Sequence, residues 1–216
     1  MTGRLYDCSV DAERVSGLVD GGSAIRRGEL VVTPTDTVYG IAADAFNPTA
    51  VNLLLAAKGR GRDMPVPVLV ASQQMADAVV DQMPEAGRLL ADTFWPGALT
   101  LVVRHTVHLA WDLGETRGTV AVRVPDHPIA LSLIEQTGPL AVSSANRTGN
   151  PAPITAMDAR LQLGGAVAVY LDAGPAPDVA LPSSIVDVTG DEPRLLRAGA
   201  LDADRLRDVV PGLMTD

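Results

Sequence analysis

The sequence predicts an α/β fold: a single domain built on a twisted mixed sheet flanked by helices. Three observations lead there. Apolar runs of strand length alternate with segments of helical period. Extra strand–strand steps near residues 100–124 and 166–197 break that alternation and call for antiparallel pairs within the sheet. Hydrophobic residues make up 47% of the 216-residue chain and aromatic residues only 3%, so the core is aliphatic. A domain of about 150 residues already buries roughly 70% of its extended surface, so this length supports a core of its own.

Taken in order, residues 11–28 read as a helix capped by Asp11 or Ser9, with Val15, Leu18, Val19 and Ile25 facing inward and Gly28 as its stop. Leu30-Val31-Val32 is a short strand that runs into Thr33-Pro34-Thr35-Asp36-Thr37. Pro34 has no N–H to continue a ladder, and a strand that breaks into hydroxyls and a carboxylate is where an open α/β sheet places a ligand. Asn47 and Pro48 supply an N-cap and a first helical residue. That helix buries Val51, Leu54 and Leu55, stops near Gly59, and is followed by Arg60 and Arg62.

Val66–Val70 is a strand that Pro65 and Pro67 place at an edge or at the end of its pairing. Ser72 caps a helix to about Met83, and Pro84 opens another ending near Phe94. Strands follow at 99–104 and 119–124, separated by a loop at 105–118, with Arg123 on the face opposite Val122 and Val124. A helix over 128–136 leads to a strand at 139–142 that breaks into Ser143-Ser144-Ala145-Asn146. Thr155 caps a helix through Leu163, strands are expected at 166–171 and 185–188, and a terminal helix starts at Asp202. The Gly/Pro-rich stretch at 172–182 is a loop over one face.

Composition narrows the function. Net charge of −9 and a pI near 4.7 argue against a broad nucleic-acid surface. No apolar run reaches the roughly 18 residues of a membrane span, and the N-terminal MTGRLYDCSVDAERV lacks a signal-peptide core. A lone cysteine, Cys8, makes no internal disulfide or structural zinc site. These features predict a cytoplasmic protein. Of the 17 basic residues, 16 are arginine and one is lysine, Lys58. A compact ammonium is a point charge suited to phosphate.

Strand ends running into polar residues nominate Thr35, Asp36, Thr100, Arg123, Ser143, Ser144, Asn146, Ser183, Ser184 and Arg197. If they converge beside Lys58, Arg60 and Arg62, they form a pocket for an oxygen-rich anion, since arginine grips carboxylate or phosphate bidentately and hydroxyls donate single directed bonds. Neither a GxxxxGK[ST] nor a GxGxxG phosphate loop occurs, and there is no GxSxG elbow. His105, His108 and His127 lack metal-ligand spacing and read as ordinary loop histidines.

Together these segments resemble the YrdC-like family of L-threonylcarbamoyladenylate synthases. The residues that carry the resemblance are Pro34–Gly40, Ala57–Arg60, Trp95–Thr100, Val120–Pro125, Ser143–Asn146, Ser183–Asp187 and Leu196–Gly199, in the family's order over a core of about residues 10–210. The resemblance implies one YrdC-like domain over 1–216. It implies a nucleotidyltransferase that makes threonylcarbamoyl-AMP and pyrophosphate from L-threonine, bicarbonate and ATP for tRNA modification. It places Thr35, Arg123 and Ser183 on L-threonine, and Lys58, Arg60, Thr100, Ser144, Asn146 and Arg197 on ATP. Lys58 and Arg60 are the catalytic cations, with Mg2+ held through the ATP phosphates. A functional link to the tRNA threonylcarbamoyl transferase complex and a weak RNA contact also follow, with no membrane association.

The chain departs from the family's pattern at Met64-Pro65-Val66, at Leu69 where some members have histidine, at Ala173 and at Ala198. Its length predicts the short form, without the extra C-terminal domain of longer members. Two other readings compete: an RNA-binding or translation-associated protein of the same fold, and a carbamoyl-transfer module like that of hydrogenase maturation proteins. The acidic charge weighs against the first. A single cysteine and 216 residues weigh against the second.

Overall fold

A computed structural model describes residues 3–106, 108–177 and 181–215. Met1 and Thr2 of the N-terminal segment, Val107 of the 105–118 loop and residues 178–180 of the 172–182 loop lie outside the described residues. The elements are β1 (Arg4–Asp7), α1 (Asp11–Arg26), β2 (Val31–Thr33), β3 (Gly40–Asp44), α2 (Pro48–Lys58), β4 (Val68–Leu69), α3 (Gln73–Asp77), α4 (Glu85–Phe94), β5 (Leu99–Arg104), β6 (Thr119–Arg123), α5 (Pro128–Thr137), β7 (Leu140–Ser144), α6 (Ala156–Leu163), β8 (Val169–Asp172), β9 (Ser184–Asp187), β10 (Arg194–Arg197), α7 (Ala203–Val209) and β11 (Met214–Thr215). The described strands form one mixed sheet in the order β1-β8-β2-β3-β7-β4-β6-β5-β9-β10-β11.

Local chemistry sets many of the boundaries. The Asn47 side chain accepts from the Ala50 N–H, Pro48 opens α2, and Gly59 ends it at φ 62°. Ser72, Thr155 and Asp202 cap α3, α6 and α7 in the same way. His127 is no loop histidine: its Nδ1 accepts from the Ile129 N–H and caps α5.

Other expectations change. Val15 and Val19 on α1 are 61% and 55% exposed, while Gly17, Gly21, Gly22, Ala24 and Ile25 are buried. The helix lies so close to β1 and β8 that a Cβ on Gly17 would sit 2.9 Å from Tyr6 Cβ and from Leu171 Cδ2. Neither Ser9 nor Asp11 caps it. Val10 holds the N-cap without a side-chain bond, and Ser9 Oγ donates to Asp7 Oδ1 instead. Three strands go unread in the sequence: β1, which pairs with β8; β3, which makes Pro34–Tyr39 the loop of an antiparallel hairpin with β2; and the short β11. β4 is central, not an edge, although the flanking prolines do limit it to two paired residues. α3 stops at Asp77, well short of Met83. β7 continues through Ser143 and Ser144, which pair with Ile41 and Gly40.

Strand alternation divides the sheet's two faces. Val32, Ile41, Val68, Leu101, Val122 and Val186 point into the larger core, which also takes Leu54 of α2, Leu90 of α4, Ala159 of α6 and Leu206 of α7. On the opposite face Val31, Ala42, Val142 and Leu171 pack under Ile25 of α1 and Leu133 of α5. Those two helices cover only the β1–β7 half. From Gly40 of β3 across to Arg197 of β10 that face bears a cleft.

Candidate active site

The cleft encloses about 310 Å3. Its floor is the sheet face itself: Val142 and Ser144 of β7, Leu69 of β4, Ala121 and Arg123 of β6, and Thr100 and Val102 of β5 alternate into it at period two. The sequence reading expects a pocket at strand ends. The structure puts it on a sheet face left uncovered by helices, with the β2–β3 hairpin loop and the Pro182–Ser183 segment as walls. A larger hollow of about 470 Å3 lies at the other end of the sheet beside Gly3, Gly28 and Ala168. The smaller cleft is the stronger candidate, because Thr35, Thr100, Arg123 and Ser183 line it and are all buried.

Arg123 is its centre. Nη2 donates to Asp36 Oδ1 at 2.6 Å, Nη1 to Thr37 Oγ1 at 3.0 Å and Nε to the Gly97 carbonyl at 2.8 Å. Burial lowers the guanidinium's proton affinity, and Asp36 opposes that. Asp36 Oδ1 also accepts from the Asp126 N–H. Thr35 holds the hairpin loop in shape. Its hydroxyl donates to the Val38 carbonyl at 2.6 Å and accepts from the Thr37 and Val38 N–H groups.

Across the cleft, Arg197 reaches from β10 to the Ser183 carbonyl at 2.6 Å and to Ser183 Oγ at 3.2 Å. Ser183 Oγ lies 2.8 Å from Thr100 Oγ1. Close backbone approach allows this: a Cβ on Gly199 would stand 2.2 Å from the Pro182 carbonyl oxygen. Ser184 takes no part, since its hydroxyl donates to the Leu201 carbonyl and accepts the Gly199 and Leu201 N–H groups. On the third side, Arg60 donates to Ser143 Oγ at 3.1 Å and to the Pro65 carbonyl, while its buried Nε has no partner.

Three guanidiniums therefore line the cleft, and the nearest carboxylate, Asp36, is bonded to Arg123. Burial is the first cause that lowers Arg197's proton affinity, and the charges of Arg123 and Arg60 add to it. In a chain of net charge −9, this local excess of positive charge draws an anion into the site.

Seven of the nine residues nominated for substrate contact line the cleft: Thr35, Arg60, Thr100, Arg123, Ser144, Ser183 and Arg197. Lys58 and Asn146 do not. Lys58 Nζ is buried behind β7 and donates to the carbonyls of Ser144 and Asn146, the latter at 2.7 Å, with Ser144 Oγ at 3.5 Å. The Asn146 amide donates to the Arg147 and Asn150 carbonyls, and its buried Oδ1 has no partner. Arg62 turns outward to Asp112 and Asn52. Sequence reasoning passed over Thr37, the residue whose hydroxyl orients Arg123. Its place two residues after Thr35 in the hairpin loop was the available signal.

A family model for the Sua5/YciO/YrdC domain, described as telomere recombination, matches residues 23–199. A Mycobacterium tuberculosis protein provisionally named threonylcarbamoyl-AMP synthase is 53% identical over 95% of this chain and 94% of its own. The Bacillus subtilis threonylcarbamoyl-AMP synthase is 36% identical over 92% of this chain, which spans 58% of that relative. Among solved structures, a double variant of Pyrococcus abyssi Sua5 superposes with a TM-score of 0.92 at 33% identity, covering 99% of this chain and 62% of that one. The same Sua5 solved with L-threonine gives 0.88 at 35% identity, covering 94% and 59%.

Proposed function

The chain belongs to the Sua5/YciO/YrdC family, and from that premise we propose that it is an L-threonylcarbamoyladenylate synthase. As a nucleotidyltransferase it joins L-threonine, bicarbonate and ATP into threonylcarbamoyl-AMP and pyrophosphate. The observation that carries this reading is the cleft's set of three guanidiniums, Arg60, Arg123 and Arg197, around a hydroxyl-lined floor. Such a set suits a substrate pair bearing one carboxylate and a polyphosphate.

Arg123 takes the threonine carboxylate. Three of its five N–H groups are engaged, leaving one on each terminal nitrogen for a bidentate grip. Asp36 and Thr37 fix the guanidinium, Thr35 shapes the loop that carries them, and Ser183 borders the same end. Arg60 and Ser144 face the nucleotide from the Arg60 side of the cleft, and Arg197, held against Ser183 with Thr100 beside it, reaches toward the nucleotide from across it. Lys58 and Asn146 serve the phosphates at one remove, because Lys58 ties down the β7 exit from which Ser144 and Asn146 project.

In the reaction, the deprotonated threonine nitrogen attacks the bicarbonate carbon and water leaves. A carbamate oxygen then attacks the α-phosphorus as the bond to pyrophosphate breaks. Positioning and fixed charge supply the acceleration. Among the described residues no group of three His, Cys, Asp or Glu side chains is placed to hold a metal ion. In this reading Mg2+ is carried on the ATP phosphates, where it would supply charge neutralisation. A cytoplasmic setting goes with this reading. So does hand-over to a tRNA threonylcarbamoyl transferase, since a carbamoyl–phosphate anhydride is a reactive product.

The test is transfer of label from [14C]bicarbonate into a product whose mass contains both threonine and AMP. Its formation with ATP and L-threonine supports the reading, and its absence from active, folded protein refutes it.

A further inference from the structure

Strand β10 breaks its pairing where it meets the cleft. Arg194 pairs with Asp187 and Leu195 with Val186 of β9, and then the register slips, so that Arg197 and not Leu196 stands opposite Ile185. Leu196 is the extra residue of a β-bulge. Ile185 lines the cleft, and both Leu196 and Arg197 share that face with it. In an unbroken ladder Leu196 would take the place opposite Ile185, and Arg197 would turn to the other face of the sheet. The bulge therefore brings the guanidinium into the cleft. Among the described residues no carboxylate holds it there. Its bonds go to the Ser183 carbonyl and hydroxyl, and the neighbouring charges of Arg60 and Arg123 are of like sign. The direction of Arg197 thus depends on how the backbone of β10 is fixed against Ser183.

The fastening is Ser184, on the side of the sheet away from the cleft. Ser184 pairs with Leu99 of β5, is fully buried and does not line the cleft. Its hydroxyl donates to the Leu201 carbonyl at 2.5 Å and accepts from the Gly199 N–H at 2.9 Å and the Leu201 N–H at 3.0 Å. That uses its one donor and both of its acceptor sites. Beside it the Pro182 carbonyl accepts from the Ala200 N–H at 2.9 Å. One hydroxyl so ties residues 199–201, just past the bulge, to the strand start that carries Ser183. We propose, resting on the synthase reading above, that Ser184 is a positioning residue for the nucleotide, locking the bulged end of β10 so that Arg197 points into the cleft. Without the hydroxyl, the Gly199 and Leu201 N–H groups and the Leu201 carbonyl lose this partner. The segment then shifts to find others, and Arg197 moves with it.

The test is a double-mutant cycle on ATP binding, read by isothermal titration calorimetry with Mg2+ and without L-threonine, so that no product forms. Ser184→Ala should weaken ATP binding about tenfold, the size of one misdirected charge-assisted hydrogen bond, although the residue touches no ligand. Arg197→Ala should weaken it at least as much. Adding Ser184→Ala to Arg197→Ala should then cost about twofold or less, because the aim of an absent side chain no longer matters. Ser184→Cys fills the same space with a weaker donor and acceptor. It should fall between wild type and Ser184→Ala, and it carries the same cycle if the alanine variant fails to fold. ATP affinity unchanged in the folded Ser184 variants, or losses that add fully to that of Arg197→Ala, would overturn the positioning role and leave the synthase reading standing. Wild-type protein that binds no ATP would overturn both.

Discussion

Arg123, in the floor of the cleft, meets Asp36 at 2.6 Å, 87 residues away in sequence, and both side chains are largely shielded from water. The pair joins β6 to the β2–β3 hairpin loop and fixes the guanidinium before any substrate arrives. Removing one partner of a buried pair strands the other. Asp36→Ala should therefore destabilise the fold by about 3 kcal/mol in chemical denaturation. Asp36→Asn keeps the shape without the charge, and should raise the KM for L-threonine more than that for ATP.

Arg123→Lys keeps a charge but loses the planar fork. An ammonium cannot reach Asp36, Thr37 and the Gly97 carbonyl together and still grip a carboxylate at two points. The threonine KM should rise at least tenfold, about 1.4 kcal/mol of binding, as measured by steady-state kinetics. An unchanged KM would remove Arg123 from the threonine site.

Lys58 gives stability a pH dependence of predictable sign. Its value falls from 10.5 to about 8 on folding because burial disfavours the ammonium. The unfolded chain therefore holds more protons above pH 8, and stability rises with pH there. Cys8, pushed up to about 11 by burial, works in the opposite sense above its ordinary 9.0. The clean window is pH 8 to 9. Over that range the stability gap between wild type and Lys58→Met should shift in favour of wild type, as read by urea midpoints at each pH.

Gly17→Ala sets helix propensity against packing. In an exposed helix alanine would gain about 1 kcal/mol over glycine. Here the added methyl meets Tyr6 and Leu171 at 2.9 Å, and overpacking of this kind costs roughly 1–3 kcal/mol. The thermal midpoint should fall. A rise would mean that α1 can move off the sheet freely.

Elements whose signals are local were legible in the sequence. Asn47, Pro48 and Gly59 bound α2 by chemistry within a few residues of each end, and β5 is recovered to the residue. Elements whose form depends on distant neighbours were not. The valines of α1 suggested a buried stripe, but the sheet approaches its glycine face, where the absence of side chains allows contact. β3 was hidden because Gly40–Asp44 is short and follows a polar loop. Most of the site residues could be named, yet their placement on an open sheet face depends on where α1 and α5 stop covering it. Lys58 read as a phosphate cation because nothing near it in sequence shows that its amine turns to the carbonyls of Ser144 and Asn146.

The measurement that bears most directly on the synthase assignment is pyrophosphate release from ATP by the purified protein, with L-threonine and bicarbonate each present or withheld. Release that requires both is the predicted result, and it should collapse in Arg123→Ala. Release that needs neither, or none at all from folded protein, would contradict the assignment and leave the cleft as an anion site of another use.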